Sequence, residues 1–378
     1  MKATIKYLTL VSILASLLAF LSCNENKSGS VMPGITGKLG EIYVIIEKPL
    51  WDSEIGDTIR GIFTQAYPML PQTEPMFKLM SVPYSSFSRA FQRHRNLIVV
   101  NVVPEDTITK INILYDRWAT PQIVINASGH DARSIALKFD EQRKTLLTYM
   151  EQAELDRQTA NAIKYEDRSL REAVEKKFGV RIFIPQGFRK LPVSSDANFM
   201  WFTNRNNYVD MGIFIYTFPF TSDSTFTVDY LVDKRNEFLK QYVLGDLDSS
   251  WMITSPVVTP HLEIKSFKGQ TYGEMRGLWD VENGFMGGPF ISRSYVDNVN
   301  RRIVMVDGYV FAARYDKRDY MRRLEGVINT FTLTIPQAAD ATGENKNDAG
   351  SGQTSSASFS LLRESNGAKK YFATCRIG

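Results

Sequence analysis

The segment between residues 130 and 177 contains no proline, and glycine occurs only at its margins. Apolar residues recur along this segment at helical spacing and form a narrow stripe, which Arg157 and Asp167 interrupt. A helix as polar as this one packs against the rest of a protein on one side only. The pattern predicts one long linking helix, or two helices in succession, over residues 130–178, joining one module before it to another after it.

The residues before this segment alternate between strand-like and helix-like patterns. Residues 41–47 and 96–102 are nearly continuous runs of aliphatic residues, which are typical of buried strands. Between them, Ser53 precedes an amphipathic segment that Pro68 would end, and residues 84–94 also have a helical pattern. Strands that alternate with helices predict a layered α/β module over residues 39–129.

The residues after the linking segment are richer in strands and in aromatic side chains. Strand patterns cover residues 180–185, 198–203, 211–218, 262–267, 273–281, 290–297 and 302–312, and helical patterns cover residues 227–243 and 319–330. Antiparallel strands with helices at both ends predict an α/β/α sandwich over residues 179–335. The fold class of the whole chain is therefore predicted to be α+β, with two layered modules.

The chain begins with the layout of a secretory signal peptide. Two lysines lie in the first six residues, and an uncharged apolar run follows from Tyr7 to Leu21. Ser22 and Cys23 come directly after this run, as in bacterial lipoprotein signals. Residues 1–22 are therefore predicted to be removed, and Cys23 is predicted to carry acyl chains that hold the protein to a lipid membrane. The apolar run is shorter than the ~20 residues that span a bilayer.

The two ends of the mature chain are predicted to be flexible. Residues 23–38 contain Gly, Ser, Asn and Pro and read as a tether, and residues 336–378 begin with a low-complexity run and are predicted to be disordered. The tether lacks the acidic cluster that often directs such lipoproteins to the cell surface. We therefore expect a lipid-anchored protein of the cell envelope, on the periplasmic side of the outer membrane.

Composition and charge exclude several classes of protein. The formal net charge of +4 falls to +2 when Lys2 and Lys6 of the leader are removed, so no basic patch for nucleic acid is indicated. Cys23 and Cys375 are the only cysteines, which excludes a disulfide framework if Cys23 is acylated. The three histidines, His94, His130 and His261, occur in separate segments with no metal-ligand spacing. The sequence predicts no catalytic residue, metal site or cofactor.

A cluster of glycines after residue 283 is the clearest candidate for a binding surface. Residues 284–289 read as a hairpin turn, because glycine tolerates the positive φ angles of tight turns. The alternative is a mobile loop over a cleft, with Phe285 and Met286 as its apolar tip. Trp279, Phe285, Met286, Gly287 and Gly288 form the candidate binding surface.

Two further sets of residues on these strands have competing interpretations. Trp201, Tyr208, Tyr272, Trp279 and Tyr309 could form an aromatic platform for a sugar or a peptide, but such residues are more often part of a sandwich core. Glu274, Arg276 and Asp280 share one face of their strand, opposite Trp279, and that face is predicted to be solvated.

Several segments together resemble one protein family. These are residues 41–47 with Pro49, Leu50 and Trp51, and residues 95–99, 277–279 and 287–290. With the Cys23 leader, they resemble an uncharacterised family of Bacteroidota envelope lipoproteins, known only as a domain of unknown function. The resemblance covers about residues 1–335. It implies an envelope location and supplies no catalytic residues.

The second module has a separate resemblance. Residues 184–188 at its start and residues 320–331 at its end are similar to the PsbP and Mog1-like sandwich. Domains of that class bind partners rather than catalyse reactions. The expectation is a non-enzymatic lipoprotein that binds an envelope protein or a glycan, and the alternative is a hydrolase acting on cell-wall or glycan material with carboxylates near residues 284–289.

Overall fold

The computed structural model describes residues 32–222, 225–267 and 269–333. The leader, Cys23, residues 24–31 of the tether and the residues after 333 lie outside the described residues, so the predictions made for them stay predictions. The prediction of a flexible tether is wrong from Pro33 onward, because the Pro33 oxygen accepts from the Thr120 N–H and Thr36 pairs with the backbone of Arg93 and Arg95. Within the described ranges, no helix is both long enough and apolar enough to cross a membrane.

The first sheet has five strands in the order β2–β1–β3–β5–β4. They are β1 (Glu41–Ile45), β2 (Lys78–Val82), β3 (Asn96–Val102), β4 (Lys110–Tyr115) and β5 (Ile123–Gly129). The first four in this order are parallel, and β4 is an antiparallel edge strand. The aliphatic runs of β1 and β3 place them at the centre of the sheet, where both faces are covered.

Short helices connect these strands. They are α1 (Lys48–Trp51), α2 (Glu54–Phe63) and α3 (Arg89–Gln92). The helix predicted over residues 84–94 is wrong in extent, because a 3₁₀ turn over Tyr84–Ser86 comes first and α3 begins only after Ser88. The serines of this segment explain the difference, since serine favours turns and helix ends over helix interiors.

The predicted linking segment forms three helices rather than one or two. They are α4 (Ala132–Glu141), α5 (Arg143–Lys164) and α6 (Arg168–Phe178). Asp167, which interrupts the apolar stripe, accepts hydrogen bonds from the backbone N–H groups of Ser169 and Leu170 at the start of α6. The single long helix is thus broken by an N-cap residue. Gly179, with φ of 65°, ends α6 in the left-handed region.

The second sheet has eight strands, and its pairs are antiparallel. They are β7 (Arg189–Lys190), β8 (Phe199–Arg205), β9 (Asp210–Pro219), β10 (Trp251–Thr254), β11 (His261–Phe267), β12 (Gln270–Glu282), β13 (Gly287–Asp297) and β14 (Arg302–Phe311). The order is β10–β12–β13–β14–β9–β8–β7, and β11 pairs with β12 beside β10. The strand predicted over residues 180–185 is reduced to β6 (Val180–Arg181), which pairs with β15 (Thr332–Leu333).

Helices cover both faces of the second sheet. On one face, Leu231 and Leu239 of α7 (Val228–Tyr242) pack into an aromatic layer with Phe199, Phe214 and Tyr216. On the other face, α8 (Arg318–Ile328) packs against α5 and against β9, β13 and β14. The predicted α+β class and the α/β/α sandwich are therefore confirmed.

The helix α5 is part of the core rather than a bridge between two bodies. Its residues Leu146, Met150 and Ala162 belong to one buried cluster that also contains Ile98 of the first sheet and Val304 of the second. The described residues all fall in a single compact unit. The tertiary contacts of α5 thus make the two halves depend on each other for burial of apolar surface.

A buried carboxylate fixes α5 to the first sheet. Glu154 accepts hydrogen bonds from Arg95 Nη2 at 2.8 Å and from Asn96 Nδ2 at 2.7 Å. Arg157, one turn further along α5, is its second cationic neighbour at 3.2 Å. Burial by itself raises the pKa of Glu154, but Arg157 and Arg95 outweigh burial and hold this pKa below its usual value.

Candidate functional site

An aromatic cavity of about 480 Å³ opens at one end of the second sheet. Its lining comes from β8 and β9 with their connecting turn, from the segment after α7, from β10, from β12 with its turn to β13, and from β14. The lining includes Trp201, Arg205, Tyr208, Asp210, Leu244, Asp246, Leu247, Trp279, Phe285, Met286 and Tyr309. We refer to this space as the aromatic cavity.

The floor of the aromatic cavity consists of three aromatic side chains that hold one another in place. Trp279 is buried, and its Nε1 donates a hydrogen bond to the backbone oxygen of Val310 at 3.3 Å. Its ring meets Tyr309 edge to face at 5.6 Å between centroids. Trp201 Nε1 in turn donates to the Tyr309 hydroxyl at 3.2 Å. These contacts make the floor pre-organised, so little side-chain entropy remains to be lost on binding.

A close approach between two strands positions Tyr309. Gly212 lies directly opposite Tyr309 in the pairing of β9 with β14. A Cβ atom at Gly212 would lie only 1.9 Å from the Tyr309 ring. Only glycine therefore leaves room for this ring to lie flat across the neighbouring strand.

One wall of the cavity is polar, and most of its charge is already neutralised. Arg205 donates two hydrogen bonds to Asp210 Oδ2, at 2.9 Å from Nε and 2.6 Å from Nη2. The Thr203 hydroxyl donates to the other oxygen of Asp210. The hydrogen bond to Asp210 raises the pKa of Arg205, and the charge of Asp246 adds to this effect. Both carboxylate oxygens of Asp210 are thus hydrogen-bonded within the protein. Asp246 is the other carboxylate among the lining residues.

Large apolar side chains surround the mouth of the cavity. Phe285, at the tip of the β12–β13 turn, is fully exposed. Tyr208, Leu244 and Leu247 expose 65%, 67% and 55% of their surface at the same mouth. Such a concentration of exposed apolar groups beside a cavity is typical of a surface that binds another molecule.

The candidate binding residues from the sequence separate into two groups. Trp279, Phe285 and Met286 line the aromatic cavity. Gly287 and Gly288 are the first two residues of β13, directly after the turn. A Cβ atom at Gly288 would lie 2.1 Å from the backbone oxygen of Val310. Gly288 thus serves the packing of β13 against β14. Whether this surface binds a ligand stays a prediction.

The hairpin interpretation of residues 284–289 is confirmed. The turn covers residues 283–286, and Gly287 already pairs with Asp280 on β12. The strands are longer than predicted, because Gly288 and Pro289 continue the antiparallel pairing with Trp279 and Leu278. The tip of this hairpin nevertheless lies at the mouth of the aromatic cavity, so the two interpretations of the segment do not exclude each other.

The aromatic residues that could form a platform are divided between core and surface. Trp279, Tyr309 and Tyr272 are buried, as the core interpretation predicts. Tyr272 belongs to the opposite side of the sheet and contacts Tyr295, with the two ring centroids 5.2 Å apart and the ring planes tilted by 38°. Tyr208 is mostly exposed, and its ring meets Tyr315 edge to face at 5.9 Å.

The prediction of a solvated face on β12 is wrong for Glu274. Glu274 is 3% exposed and accepts hydrogen bonds from Lys265 Nζ at 2.7 Å, from Arg276 Nε at 3.0 Å and from Arg293 Nε at 2.9 Å. Burial raises its pKa, but the three cations outweigh burial and hold the pKa of Glu274 well below its usual value. The residue pattern of β12 could not reveal the burial of Glu274, because Lys265 and Arg293, which surround its carboxylate, belong to other strands.

The three histidines are far from forming a common site. His94 is buried and stacks on Tyr43 at 4.0 Å, and burial lowers its pKa. His130 and His261 lie at the surface beside Asp131 and Glu263. In the part of the chain that the structure describes, His, Cys, Asp and Glu side chains form no group of three or more that could hold a metal ion.

The sequence analysis did not identify Arg205 and Asp210 as cavity residues, although the sequence contains a pattern that indicates their pairing. Arg205 and Asp210 face each other as the last pair of the β8–β9 hairpin. Opposite charges that flank a short polar turn between two strand patterns predict such a pair. The segment of residues 243–250 had no comparable signal, because its position at the cavity depends on where α7 ends.

Both halves of the chain match families whose function is unknown. Residues 35–162 match the model of a domain of unknown function, DUF8532, and residues 167–330 match that of another, DUF4837. The boundary between the two matches lies at the end of α5. Among curated proteins, none matches the chain significantly. The predicted resemblance to domains of unknown function is therefore confirmed.

Two solved structures are weakly similar to this chain. One is the Ran-binding protein Mog1p of Saccharomyces cerevisiae, with 12% identity, coverage of 42% of this chain and 92% of that chain, and a TM-score of 0.29. The other is a point mutant of protein Mog1, with 11% identity, the same coverage and a TM-score of 0.27. Similarity this weak carries no functional argument.

Proposed function

We propose that this protein is an envelope lipoprotein, anchored through acylated Cys23, that binds a partner protein at the aromatic cavity without catalysing a reaction. The anchor rests on the leader pattern, in which Cys23 directly follows the apolar run. The expected location is the periplasmic side of the outer membrane. The part of the tether before Pro33 would give the folded part freedom to reach a partner.

The observation that carries the binding proposal is the exposure of Phe285 beside a rigid aromatic floor. A fully exposed phenylalanine is costly in water, and it is stabilised when a partner covers it. Aromatic anchors in the centre of an apolar surface dominate the energy of many protein interfaces. The exposed Tyr208, Leu244 and Leu247 extend this surface around the cavity.

A protein partner fits the cavity better than a glycan. The indole N–H groups of Trp201 and Trp279 donate to Tyr309 and Val310, and Asp210 is held by Arg205 and Thr203. Few free polar groups thus remain on the floor for sugar hydroxyls, which need several directed hydrogen bonds. The exposed rim is instead suited to apolar side chains of another protein.

The test is cross-linked capture of partners by the full chain in its native envelope. The variant Phe285→Ser removes the apolar tip, and Ile108→Ser is the matched control, because Ile108 is 72% exposed in the first half of the chain. Cys23→Ala removes the anchor. We expect one protein to be captured by the wild type and by Ile108→Ser, and to be lost with Phe285→Ser and reduced with Cys23→Ala.

Three results would contradict the proposal, in whole or in part. Capture that is unchanged in Phe285→Ser would show that the aromatic cavity is not the binding site. Release of wall or glycan fragments by the purified chain, lost on substitution of Asp246, would favour the alternative of a hydrolase. Binding of isolated glycan in place of a protein would replace the partner class while leaving the site in place.

A further inference from the structure

A smaller cavity, of about 210 Å³, lies between the last turns of α5, one side of α8 and the strands β8 and β9. It shares no lining residue with the aromatic cavity. Four of its lining residues carry side-chain amides, and they come from three separate parts of the chain: Gln158, Asn161, Gln186 and Asn204. We refer to this space as the amide cavity.

The floor of the amide cavity is apolar. It consists of lining residues that are each at most 9% exposed: Ala162, Phe188, Met211, Leu324 and Val327. Ligand sites commonly combine such a floor with a small number of polar groups that fix the orientation of the ligand. The amides provide the polar groups here.

Strand register places Asn204 beside this floor. Asn204 lies directly opposite Met211 in the pairing of β8 with β9, and Phe202 belongs to the same buried cluster as Met211. Because side chains alternate between the two faces of a strand, Asn204 points to the same face as Phe202. Its Nδ2 lies 3.0 Å from the position that a Cβ atom of Gly187 would take, so the amide reaches the loop that carries Gln186.

A backbone hydrogen bond holds Gln186 next to the end of α5. The Gln186 N–H donates to the backbone oxygen of Tyr165 at 2.8 Å. Tyr165, which directly follows α5, is 53% exposed and lines the same cavity. Gln158 and Asn161 lie three positions apart on α5 and therefore share one face of the helix. A space this small brings all four amides within reach of one compact ligand.

The amide groups are not used by the protein itself. Among the described residues, none of the four side chains donates or accepts a hydrogen bond. Each amide offers two donor hydrogens and one acceptor oxygen. Arg323 is the one charged residue in the described lining, and its guanidinium group lies over the ring of Tyr320 at 5.6 Å, outside that lining. The amide cavity is thus rich in hydrogen-bonding groups that carry no charge.

We propose that the amide cavity binds one ring of a neutral sugar. Each sugar hydroxyl both donates and accepts a hydrogen bond, as the amides do, and the C–H groups of the ring match the apolar floor. The volume is below the roughly 300–1,000 Å³ of pockets for drug-sized ligands, which fits a single ring. A charged ligand is disfavoured, because it would lose water without gaining a partner of opposite charge.

The same criterion distinguishes the two cavities. In the aromatic cavity, the indole N–H groups of Trp201 and Trp279 are already bound within the protein. In the amide cavity, the side-chain amides are all available to a ligand. Sugar binding is therefore separate from partner binding at the aromatic cavity, and neither requires the other.

The test is saturation-transfer NMR of the full chain with D-glucose, D-galactose, D-mannose and N-acetyl-D-glucosamine, each added singly and then titrated. We expect at least one of them to bind more tightly than about 10 mM. Cyclohexanol, a ring of the same size with a single hydroxyl, should not compete with it. The methyl glycosides of the bound sugar identify the source of the ring. Equal binding of these glycosides indicates the end of a glycan, weaker binding indicates a free monosaccharide, and both results support a sugar site.

Two variants test the site without changing its floor. Asn204→Ala and Gln186→Ala each remove one amide, and each should weaken binding about three- to tenfold. The matched control is Asn112→Ala, which removes an exposed amide from β4 of the first sheet and should leave binding unchanged. Thermal melting shows whether each variant is folded.

Three results would overturn the sugar site. The first is that none of the four sugars binds, in which case the cavity holds water only. The second is that cyclohexanol competes as well as the sugar itself, which would mean that the amides make no contact with the ligand. The third is that both amide variants, shown to be folded, bind the sugar as tightly as the wild type. None of these measurements depends on partner capture at the aromatic cavity.

Discussion

Arg235 and Asp307 form an ion pair, with 2.6 Å between Nε and Oδ2, and neither side chain is exposed to solvent. The pair lies in the aromatic layer between α7 and the second sheet. The guanidinium group stacks over Phe290 at 3.9 Å, and Nη1 donates to Thr254 Oγ1 at 3.0 Å. Arg235 Nη2 and Asp307 Oδ1 have no hydrogen-bond partner among the described residues. This pair therefore fixes α7 on the sheet at a cost in desolvation.

The substitution Asp307→Ala should lower the free energy of unfolding by about 3–5 kcal/mol, because it leaves the charge of Arg235 buried and unpaired. The double variant Arg235→Met with Asp307→Leu should be markedly more stable than this single variant, since no buried charge is left. Urea unfolding of the three proteins measures the difference. A double variant less stable than Asp307→Ala would contradict this account.

The exposed pair Lys48–Asp52 provides the matched comparison. Its atoms are also 2.6 Å apart, but the side chains are 82% and 53% exposed. Because solvent screens this pair, Asp52→Ala should change the free energy of unfolding by at most about 1 kcal/mol. Equal effects at the two pairs would mean that burial does not decide the strength of the Arg235–Asp307 contact.

The carboxylate of Glu274 should make stability depend on pH in the acidic range. Its pKa in the folded protein lies below the ordinary value of 4.5, so the unfolded chain binds the proton more readily. The stabilisation from Glu274 is therefore fully present above about pH 4.5 and is lost as the pH falls toward its folded pKa. We expect the stability difference between the wild type and Glu274→Gln to shrink between pH 5 and pH 3, measured by urea unfolding at each pH. A difference that stays constant over this range would contradict the depressed pKa.

Two glycine substitutions should have opposite effects. In Gly288→Ala, the added Cβ meets the backbone oxygen of Val310 at 2.1 Å, so β13 and β14 must separate. We expect a loss of about 1–3 kcal/mol in the free energy of unfolding. In Gly61→Ala, the Cβ meets nothing within 4 Å on the helix α2, and the better helix propensity of alanine should add about 0.5–1 kcal/mol. Calorimetric melting compares the two, and stabilisation by Gly288→Ala would be inconsistent with the close approach.

The substitution Asp167→Ala should cost about 1 kcal/mol, because it removes the hydrogen bonds that begin α6. The matched control is Ser88→Ala at the start of α3, where the serine side chain makes no capping hydrogen bond. Chemical unfolding of both variants measures the effect. If Asp167→Ala were neutral, the break between α5 and α6 would need a cause other than the cap.

Most elements of the fold could be predicted because they depend on local patterns. The aliphatic runs of β1 and β3 and the amphipathic stripe of α8 each identify their own element, since burial of one face requires that periodicity. The strand predicted over residues 180–185 is shorter in the structure, because only Val180 and Arg181 find a partner strand, although the aliphatic run continues beyond them. Pairing is a property of two segments, and no single pattern contains it.

The candidate site could be predicted only in part. Phe285 and Met286 at a glycine-rich turn were identified, because turn residues and an apolar tip are visible in the sequence. Phe285 and Met286 lie near Trp201 and Tyr208 only because the turns of the β8–β9 and β12–β13 hairpins lie at the same end of the sheet. Residues far apart in sequence come together there through sheet order.

The sequence by itself determined the α+β class and the positions of most strands and helices, because each depends on residues that are neighbours in the chain. The tertiary structure decided which charges are buried. Glu274 and Arg235 look like surface residues in their own segments. Glu274 is buried beside Lys265 and Arg293 of the neighbouring strands, and Arg235 is buried where α7 packs on the second sheet. The free energy of a charge depends on what surrounds it in space, and that is set by the packing of the whole fold.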